Sequence, residues 1–118
     1  RANAQLEAPK LWLERPPATW YIEGQQGELS ADRNHLTLSE DVIANRLEKG
    51  TDPWRMASTT LEWDQRTDLV TSNTTTTLVQ GNSHSQGDSL SMDLNTSQYT
   101  LGDKVKTQWQ STSSSRLR

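Results

Sequence analysis

Short segments in which apolar and polar residues alternate, separated by frequent turn residues, are the feature that most constrains the fold of this chain. Leu36-Thr37-Leu38 and Tyr99-Thr100-Leu101 show the alternation clearly. Similar triplets begin at Leu11, Trp20, Leu61 and Leu90. A period of two places alternate side chains on one face of a β-strand. Regular short strands joined by short turns predict an all-β sandwich, barrel or roll.

Turn-forming residues fall between these segments. They are Pro16-Pro17, Gln25-Gln26-Gly27, Asp32-Arg33-Asn34, Gly50-Thr51-Asp52-Pro53, Gly81-Asn82 and Gly102-Asp103. The stretch from Leu38 to Glu48 also permits a helix, with Ser39 as its N-cap. A strand is favoured there because the β pattern resumes on both sides. We expect one domain, with frayed ends at about 1–4 and 111–118.

Composition supports a β domain with a thin core. Leu, Ile, Val and Phe account for only 20 of the 118 residues, but the net charge is −3 and there are 15 Thr. Thr favours half-exposed strands, so each strand should bury one face and expose the other. The absence of Cys excludes disulfides and Cys-ligated zinc. No apolar run approaches the ~20 residues that cross a bilayer, no signal peptide opens the chain, and no basic stripe indicates nucleic-acid binding.

The pattern L-x-x-D occurs three times, at Leu29–Asp32, Leu61–Asp64 and Leu90–Asp93. Each copy is followed by a further alternating pair and another extended piece. The repeat predicts a hairpin module with an inward Leu, a turn-forming Asp and a returning strand. Such modules stack, because none can bury its apolar face alone.

No arrangement of residues predicts catalysis. The three Asp residues of the repeat could form a carboxylate cluster, but turn closure is the favoured interpretation. His35 and His84 are interpreted as polar surface residues. The motifs of a nucleophile elbow, a dinucleotide site and a phosphate-binding loop are missing. We therefore expect no enzyme activity, no cofactor and no metal site.

The tryptophans offer a more informative signal. Trp12, Trp20, Trp54, Trp63 and Trp109 are many for so thin a core. Ordinary core packing accounts for them as well as a functional role does. The functional interpretation is an apolar groove between two sheets, open at its edges, that holds a long apolar ligand.

Two stretches resemble the LptC family of lipopolysaccharide export proteins. In LEAPKLWLERPPATWYIEGQQGELSADRNHLTLSEDVIANR, the family pattern is a P-x-W-x-(I/V)-x-A strand followed by G-x-L-x-x-D-x-x-x-(I/V)-x-L-x-G-x-V. Trp20, Ile22, Leu29, Asp32, Leu36, Leu38 and Val42 fill these positions, and Gly24 stands where Ala is common. SQGDSLSMDLNTSQYTLGDKVKTQW resembles the family's C-terminal element. The resemblance spans roughly Leu6 to Trp109, and LptA and OstA-like domains share its motifs. Ser39-Glu40-Asp41 departs from it, since the family usually has a Gly turn there.

The resemblance implies a twisted, V-shaped antiparallel β-jellyroll, open along one side and built from repeated hairpin modules. Its apolar interior would bind the lipid A acyl chains of lipopolysaccharide, without covalent chemistry. Without a basic patch, binding would depend on acyl-chain burial, at ~0.8 kcal/mol per CH₂, more than on phosphate capture. The lipid-binding residues implied are Leu6, Trp20, Ile22, Leu29, Leu36, Leu38, Leu61, Trp63, Leu90, Tyr99, Leu101 and Trp109.

The resemblance also implies partners and a location. Lipopolysaccharide would arrive from an inner-membrane ABC transporter, whose β domain would meet the first strand, about Leu6 to Leu13. It would leave to LptA, which would pair with the edge strand made of Lys104, Val105, Lys106, Thr107, Gln108, Trp109 and Gln110. The native protein would be periplasmic, anchored to the inner membrane by an N-terminal helix absent from this sequence. The alternative is a structural β-module whose interior is packed shut.

Overall fold

The computed structural model of the protein describes residues 2–102 and the backbone of residues 106–109. All regular secondary structure in these ranges is β-strand. The strands are β1 (Ala4–Glu7), β2 (Lys10–Arg15), β3 (Ala18–Glu23), β4 (Gln26–Leu29), β5 (His35–Leu47), β6 (Trp54–Asp64), β7 (Leu69–Ser72), β8 (Thr76–Gln80), β9 (Ser83–Gly87), β10 (Ser89–Asp93), β11 (Tyr99–Gly102) and β12 (Lys106–Trp109). The all-β prediction is therefore confirmed.

The strands of the described residues form an antiparallel meander of long, bent strands. β5 and β6 run through their bends, and β1–β2, β3–β4, β7–β8 and β9–β10 join in consecutive pairs across short bends. β11 and β12 are separated by residues 103–105, which lie outside the described residues. On one side of the bends the neighbours are β1, β4, the first part of β5, the second part of β6, β7, β10 and β11. On the other side they are β2, β3, the rest of β5 and β6, β8, β9 and β12. We call these the upper and lower half-sheets.

The line of bends folds the two half-sheets onto each other. In β5, Glu40 and Asp41 have positive φ angles of 67° and 54°, and the register with β6 shifts between Ser39 and Val42. Such a bulge bends a strand and increases its twist. Buried side chains from both half-sheets form a single hydrophobic cluster, so the core lies between them.

The structure resolves the open questions at Leu38–Glu48 and at the N-terminus. Residues 35–47 form β5, so the strand interpretation is correct and the helix does not form. Ala4, predicted to be frayed, instead pairs with Leu29 in β1. The pairing is possible because β4 offers β1 a free edge along its whole length. Arg1 and residues 111–118 lie outside the described residues.

The three L-x-x-D motifs all end strands of the upper half-sheet. Each Asp carboxylate accepts a hydrogen bond from the backbone N–H two residues later, in Asn34, Arg66 and Asn95, at 2.9, 2.9 and 2.8 Å. This geometry closes the turn locally. The turn-closing interpretation of Asp32, Asp64 and Asp93 is therefore confirmed. The pKa of Asp32 is lowered by the hydrogen bond from Ser30 and by that from the Asn34 backbone.

Candidate functional site

The face of the upper half-sheet that points into the core carries continuous apolar rows. Residues directly opposite each other in antiparallel strands share a face. One row runs through Leu29, Leu36, Trp63, Val70, Met92 and Tyr99. A second begins with Leu6, Gly27, Leu38 and Leu61 and resumes with Ser72, Leu90 and Leu101. The rows cross the sheet from its first strand to its last.

The lower half-sheet presents two matching rows. One consists of Leu11, Ile22, Ala44, Met56, Leu78 and Ser85. The other consists of Leu13, Trp20, Arg46, Trp54, Gln80 and Ser83. The second row lies farther from the bends and contains an arginine between two tryptophans. The inner face of the lower half-sheet is therefore apolar along its first row and becomes more polar toward the free ends of the strands.

Most of the residues predicted to face the interior do so. The buried ones are Trp20, Ile22, Leu36, Leu38, Leu61, Trp63 and Leu90. Leu29 and Leu101 are partly buried and pack against the same cluster. Trp109 belongs to β12, but its side chain lies outside the described residues. Whether any of them contacts a lipid stays a prediction.

Two of the residues predicted to face the interior lie at its exposed edges. Leu6 and Tyr99 retain 37% and 45% of their accessible surface. Their register places both on the interior face, but within the described residues β1 and β11 are edge strands, with no neighbour beyond them to cover a side chain. Trp12 is 64% exposed on the opposite face, where its ring lies 4.4 Å from that of Tyr21. It therefore takes no part in the interior.

Side chains bridge the side of the molecule opposite the bends, which we call the mouth. Arg15 of the lower half-sheet contacts Asp68 in the turn between β6 and β7. Arg46 donates a hydrogen bond of 2.7 Å to the hydroxyl of Ser97, which lies between β10 and β11.

Two aromatic contacts also cross the mouth. The indole Nε1 of Trp20 donates to the carbonyl of Leu94 at 3.2 Å. The rings of Trp54 and Tyr99 lie 5.8 Å apart. Within the described residues, the side predicted to be open is spanned by these side-chain contacts and by no strand pairing.

Asp68 is the centre of the strongest of these contacts. The guanidinium of Arg15 donates from Nε at 2.6 Å and from Nη2 at 3.2 Å to the two carboxylate oxygens, and Trp63 donates its Nε1–H at 3.1 Å. The hydrogen bond from Arg15 lowers the pKa of Asp68, outweighing burial, which acts in the opposite direction. The same bond raises the pKa of Arg15. Both groups are therefore charged at neutral pH.

The line of bends is lined by hydroxyl groups. The hydroxyl of Ser58 lies 2.9 Å from that of Ser72 and 2.8 Å from that of Thr74. Thr76, which is fully buried, donates to the Thr74 carbonyl at 3.0 Å. Every buried polar side-chain atom in the described ranges has a partner. We call these hydroxyl groups along the bends, from Ser58, Ser72, Thr74 and Thr76, the spine. The interior is therefore apolar between the spine and the polar mouth.

Comparison with known proteins identifies this architecture. The family model described as lipopolysaccharide-assembly, LptC-related matches residues 1–110. The chain belongs to the LptC family. Its fold also matches the crystal structure of LptH, the LptA homologous periplasmic component of the lipopolysaccharide transport device of Pseudomonas aeruginosa. The TM-score is 0.68 at 8% identity, over 94% of this chain and 96% of LptH. A search of curated protein sequences found no match.

Membership of the LptC family makes the chain a periplasmic component of lipopolysaccharide transport and not an enzyme. The predicted family and β-jellyroll fold are thereby confirmed. No group of three or more potential ligand side chains that could hold a metal ion is found within residues 2–102. That same range contains no helix long and apolar enough to cross a membrane. His35 lies 3.4 Å from Asp64 near the surface, in keeping with its interpretation as a polar surface residue.

The first and last strands of this LptC-family domain have unpaired sides. In the described parts of the chain, β1 pairs only with β4 and β2 only with β3, while β12 pairs only with β9. The predicted last strand therefore exists at Lys106–Trp109, where Thr107 is opposite Ser85. Lys104, Val105 and Gln110 lie outside the described residues, as do the side chains of 106–109.

Several residues of the interior gave little signal in the sequence. Trp54 follows the turn residues Asp52-Pro53, and Leu94 precedes Asn95-Thr96. The alternating pattern therefore continues on only one side of each, and neither is among the residues predicted to face the interior. Arg15 and Arg46 have the sequence pattern of ordinary surface charges, and only the pairing of β2, β3 and β5 places them at the mouth. Their contacts with Asp68 and Ser97 span 53 and 51 residues, which no local pattern reports.

Proposed function

We propose that this domain binds the acyl chains of lipopolysaccharide between its half-sheets. In this proposal it receives the lipid from the inner-membrane ABC transporter and passes it to LptA. The observation that carries the proposal is the set of apolar rows that cross the sheet from edge to edge, with Leu6 and Tyr99 exposed at opposite ends. Exposed apolar residues at both ends suit a conduit that is continuous with its neighbours.

Loading requires the half-sheets to separate at the mouth. The interior residues are packed against each other, and Trp20, Ile22 and Leu38 are at most 1% exposed. Opening at the mouth would leave the strand pairing within each half-sheet intact, because in the described part of the chain only side-chain contacts bridge the mouth. Acyl chains would then replace the contacts that the half-sheets make with each other. Each buried CH₂ contributes ~0.8 kcal/mol, so a lipid with several chains can offset the exposure of the interior.

Transfer to neighbours would use the unpaired strands. β12 would accept an edge strand of LptA, and the β1–β2 edge would face the transporter, because exposed edges are templates for strand addition. Anchoring by an N-terminal helix would hold the domain beside the transporter. Both partner assignments rest on the family resemblance together with the free edges.

The alternative is a structural module whose interior stays shut. The continuous buried cluster favours this alternative, since the apolar rows of the two half-sheets already bury each other without a ligand. The two functions differ in whether lipid ever contacts the interior residues.

Photo-crosslinking in cells decides between them. A photoreactive residue is introduced at Leu38, Leu61 or Tyr99, each compared with its outward-facing neighbour Thr37, Glu62 or Thr100. The conduit predicts lipopolysaccharide adducts at the first position of each pair and few at the second. Adducts at the outward positions alone, with none inside, would support the structural module.

Proline substitutions test the LptA edge. Alternate N–H groups of β12 point toward β9 and away from it, so Thr107→Pro and Gln108→Pro remove donors on opposite sides. The variant that loses the outward donor should fold normally and bind LptA weakly. Unchanged LptA affinity in two folded variants would exclude this strand as the docking edge.

A further inference from the structure

We propose that Arg15 and Arg46 form a binding site for the phosphate groups of the lipid headgroup, and that they are held by protein acceptors while the domain is empty. This inference rests on the proposed function, because it concerns the same cargo. It adds a polar site at the mouth to the apolar site between the half-sheets.

The position of the two arginines is the first observation. Both occupy interior-facing register positions at the free ends of their strands: Arg15 ends β2, and Arg46 lies opposite Trp20 and Trp54. Side chains there point across the mouth rather than into solvent on the outer face. An amphipathic lipid whose acyl chains lie in the apolar rows would therefore place its headgroup at this level.

The present partners of the arginines form the second observation. Arg15 makes a two-point contact with the carboxylate of Asp68. Arg46 contacts Ser97 at 2.7 Å and Glu48 at 2.5 Å. Asp68 and Ser97 belong to the opposite half-sheet, so opening the mouth separates each arginine from one of its acceptors. The guanidinium of Arg15 would then need a new partner, because a partly buried unpaired charge is costly. Arg46 would keep Glu48 and lose the hydroxyl of Ser97, which leaves donors of its guanidinium available.

A phosphate monoester can replace the acceptors that the arginines lose when the mouth opens. It carries about −1.5 to −2 charges at pH 7 and three acceptor oxygens. The planar guanidinium binds it through two parallel hydrogen bonds, as it binds a carboxylate. Phosphate oxygens can therefore take the place of the protein acceptors across the mouth. Their hydrogen bonds to the arginines would recover part of the free energy that opening the mouth costs.

The spacing of the arginines allows both to act on one headgroup. Arg15 and Arg46 are two strands apart and offset by two residues, which corresponds to about 12 Å between their Cα atoms. Two long arginine side chains at that spacing can bind one phosphate together, or one phosphate each where the headgroup carries two. Both arrangements predict that the phosphorylated lipid is preferred and that each arginine contributes to the preference.

The test compares the binding of lipid A with that of enzymatically dephosphorylated lipid A carrying the same acyl chains. The quantity measured is the ratio of the two Kd values. Wild-type protein should prefer the phosphorylated lipid by about tenfold or more, and Arg15→Gln or Arg46→Gln should each reduce that preference about threefold or more. Arg55→Gln is the matched control, since Arg55 is exposed on the outer face of β6 and its loss changes the net charge equally.

Asp68→Asn separates headgroup binding from simple release of the mouth. It weakens the contact with Arg15 but leaves the arginine in place, so it should strengthen the preference for phosphorylated lipid. If the arginines only held the mouth shut, Asp68→Asn and Arg15→Gln would increase the binding of both lipids alike, and the proposal would be wrong. If Arg46→Gln folds poorly, Ser97→Ala, which removes one of the two acceptors of Arg46 and leaves Glu48, is predicted to increase the preference.

The remaining outcomes are also distinct. Equal binding of the two lipids by wild-type protein overturns this inference but leaves acyl-chain binding in place. Failure to bind either lipid overturns the proposed function itself. Competition by inorganic phosphate at concentrations comparable to the lipid would show a site for free phosphate and overturn the headgroup assignment.

Discussion

Trp20 joins the two half-sheets, and its truncation tests the arrangement of the interior directly. Its side chain is 1% exposed, its ring packs edge-on against Trp54 at 5.5 Å, and its indole N–H donates to the Leu94 carbonyl. Truncating a buried Trp to Ala typically costs about 3–5 kcal/mol. For a domain of this size, that loss lowers the melting temperature by about 10–20 °C.

A second substitution separates packing from the hydrogen bond across the mouth. Trp20→Phe keeps an aromatic ring but removes the donor to Leu94, whose carbonyl is left without that partner. We expect it to cost about 1–3 kcal/mol, less than Trp20→Ala. Urea unfolding followed by circular dichroism gives both values.

Trp12 is the matched control, because it lies in the strand next to that of Trp20 but is 64% exposed on the outer face. Trp12→Ala loses the ring contact with Tyr21 and should cost about 1 kcal/mol or less. Equal destabilisation by Trp12→Ala and Trp20→Ala would show that the faces of β2 and β3 are assigned wrongly, and with them the whole interior.

Three further predictions concern the mouth and the bends. Asp68→Asn should cost about 1–3 kcal/mol at pH 7. The folded-state pKa of Asp68 is lowered. The difference between variant and wild type in the free energy of urea unfolding should therefore persist above about pH 5 and disappear as the pH falls through that pKa. A pH-independent difference would contradict the role of the ion pair. Gly27→Val should destabilise the domain by about 1–3 kcal/mol in thermal melts, since even a Cβ at Gly27 would lie 2.9 Å from Pro9. Joining Arg46→Cys and Ser97→Cys with a short bis-maleimide should block lipid loading relative to the untreated double variant, and undiminished loading would place the entry elsewhere.

Local patterns were sufficient to predict much of the fold. Alternation depends only on neighbouring residues, so it located part of each of β3, β5, β6 and β10 and the inward side chains of those parts. The Asp of each L-x-x-D motif bonds a backbone N–H two residues away, which is also a local interaction. The sequence alone therefore predicts the repeated hairpins, without knowledge of which strands pair.

Properties that depend on long-range pairing were not predictable in this way. In β6 the buried side chains change phase between Ser58 and Leu61, because the strand crosses the bend there. The exposure of Leu6 and Tyr99 follows from the position of β1 and β11 at the sheet edge and not from their own neighbours. Likewise, no spacing rule connects Arg15 with Asp68, so the polar mouth emerges only in three dimensions.

The spine and the mouth hold the two half-sheets together in different ways. The spine joins the half-sheets through the continuous backbones of β5 and β6 and through the hydroxyl groups around Ser58. Hydroxyl groups can exchange partners by rotation, so the bend can change angle while its polar groups stay bonded. The mouth is held by directional contacts centred on Arg15 and Arg46. Separation there would expose the apolar rows, which a long apolar ligand could cover again. Under the proposed function, the open state would therefore be stable only with lipid bound.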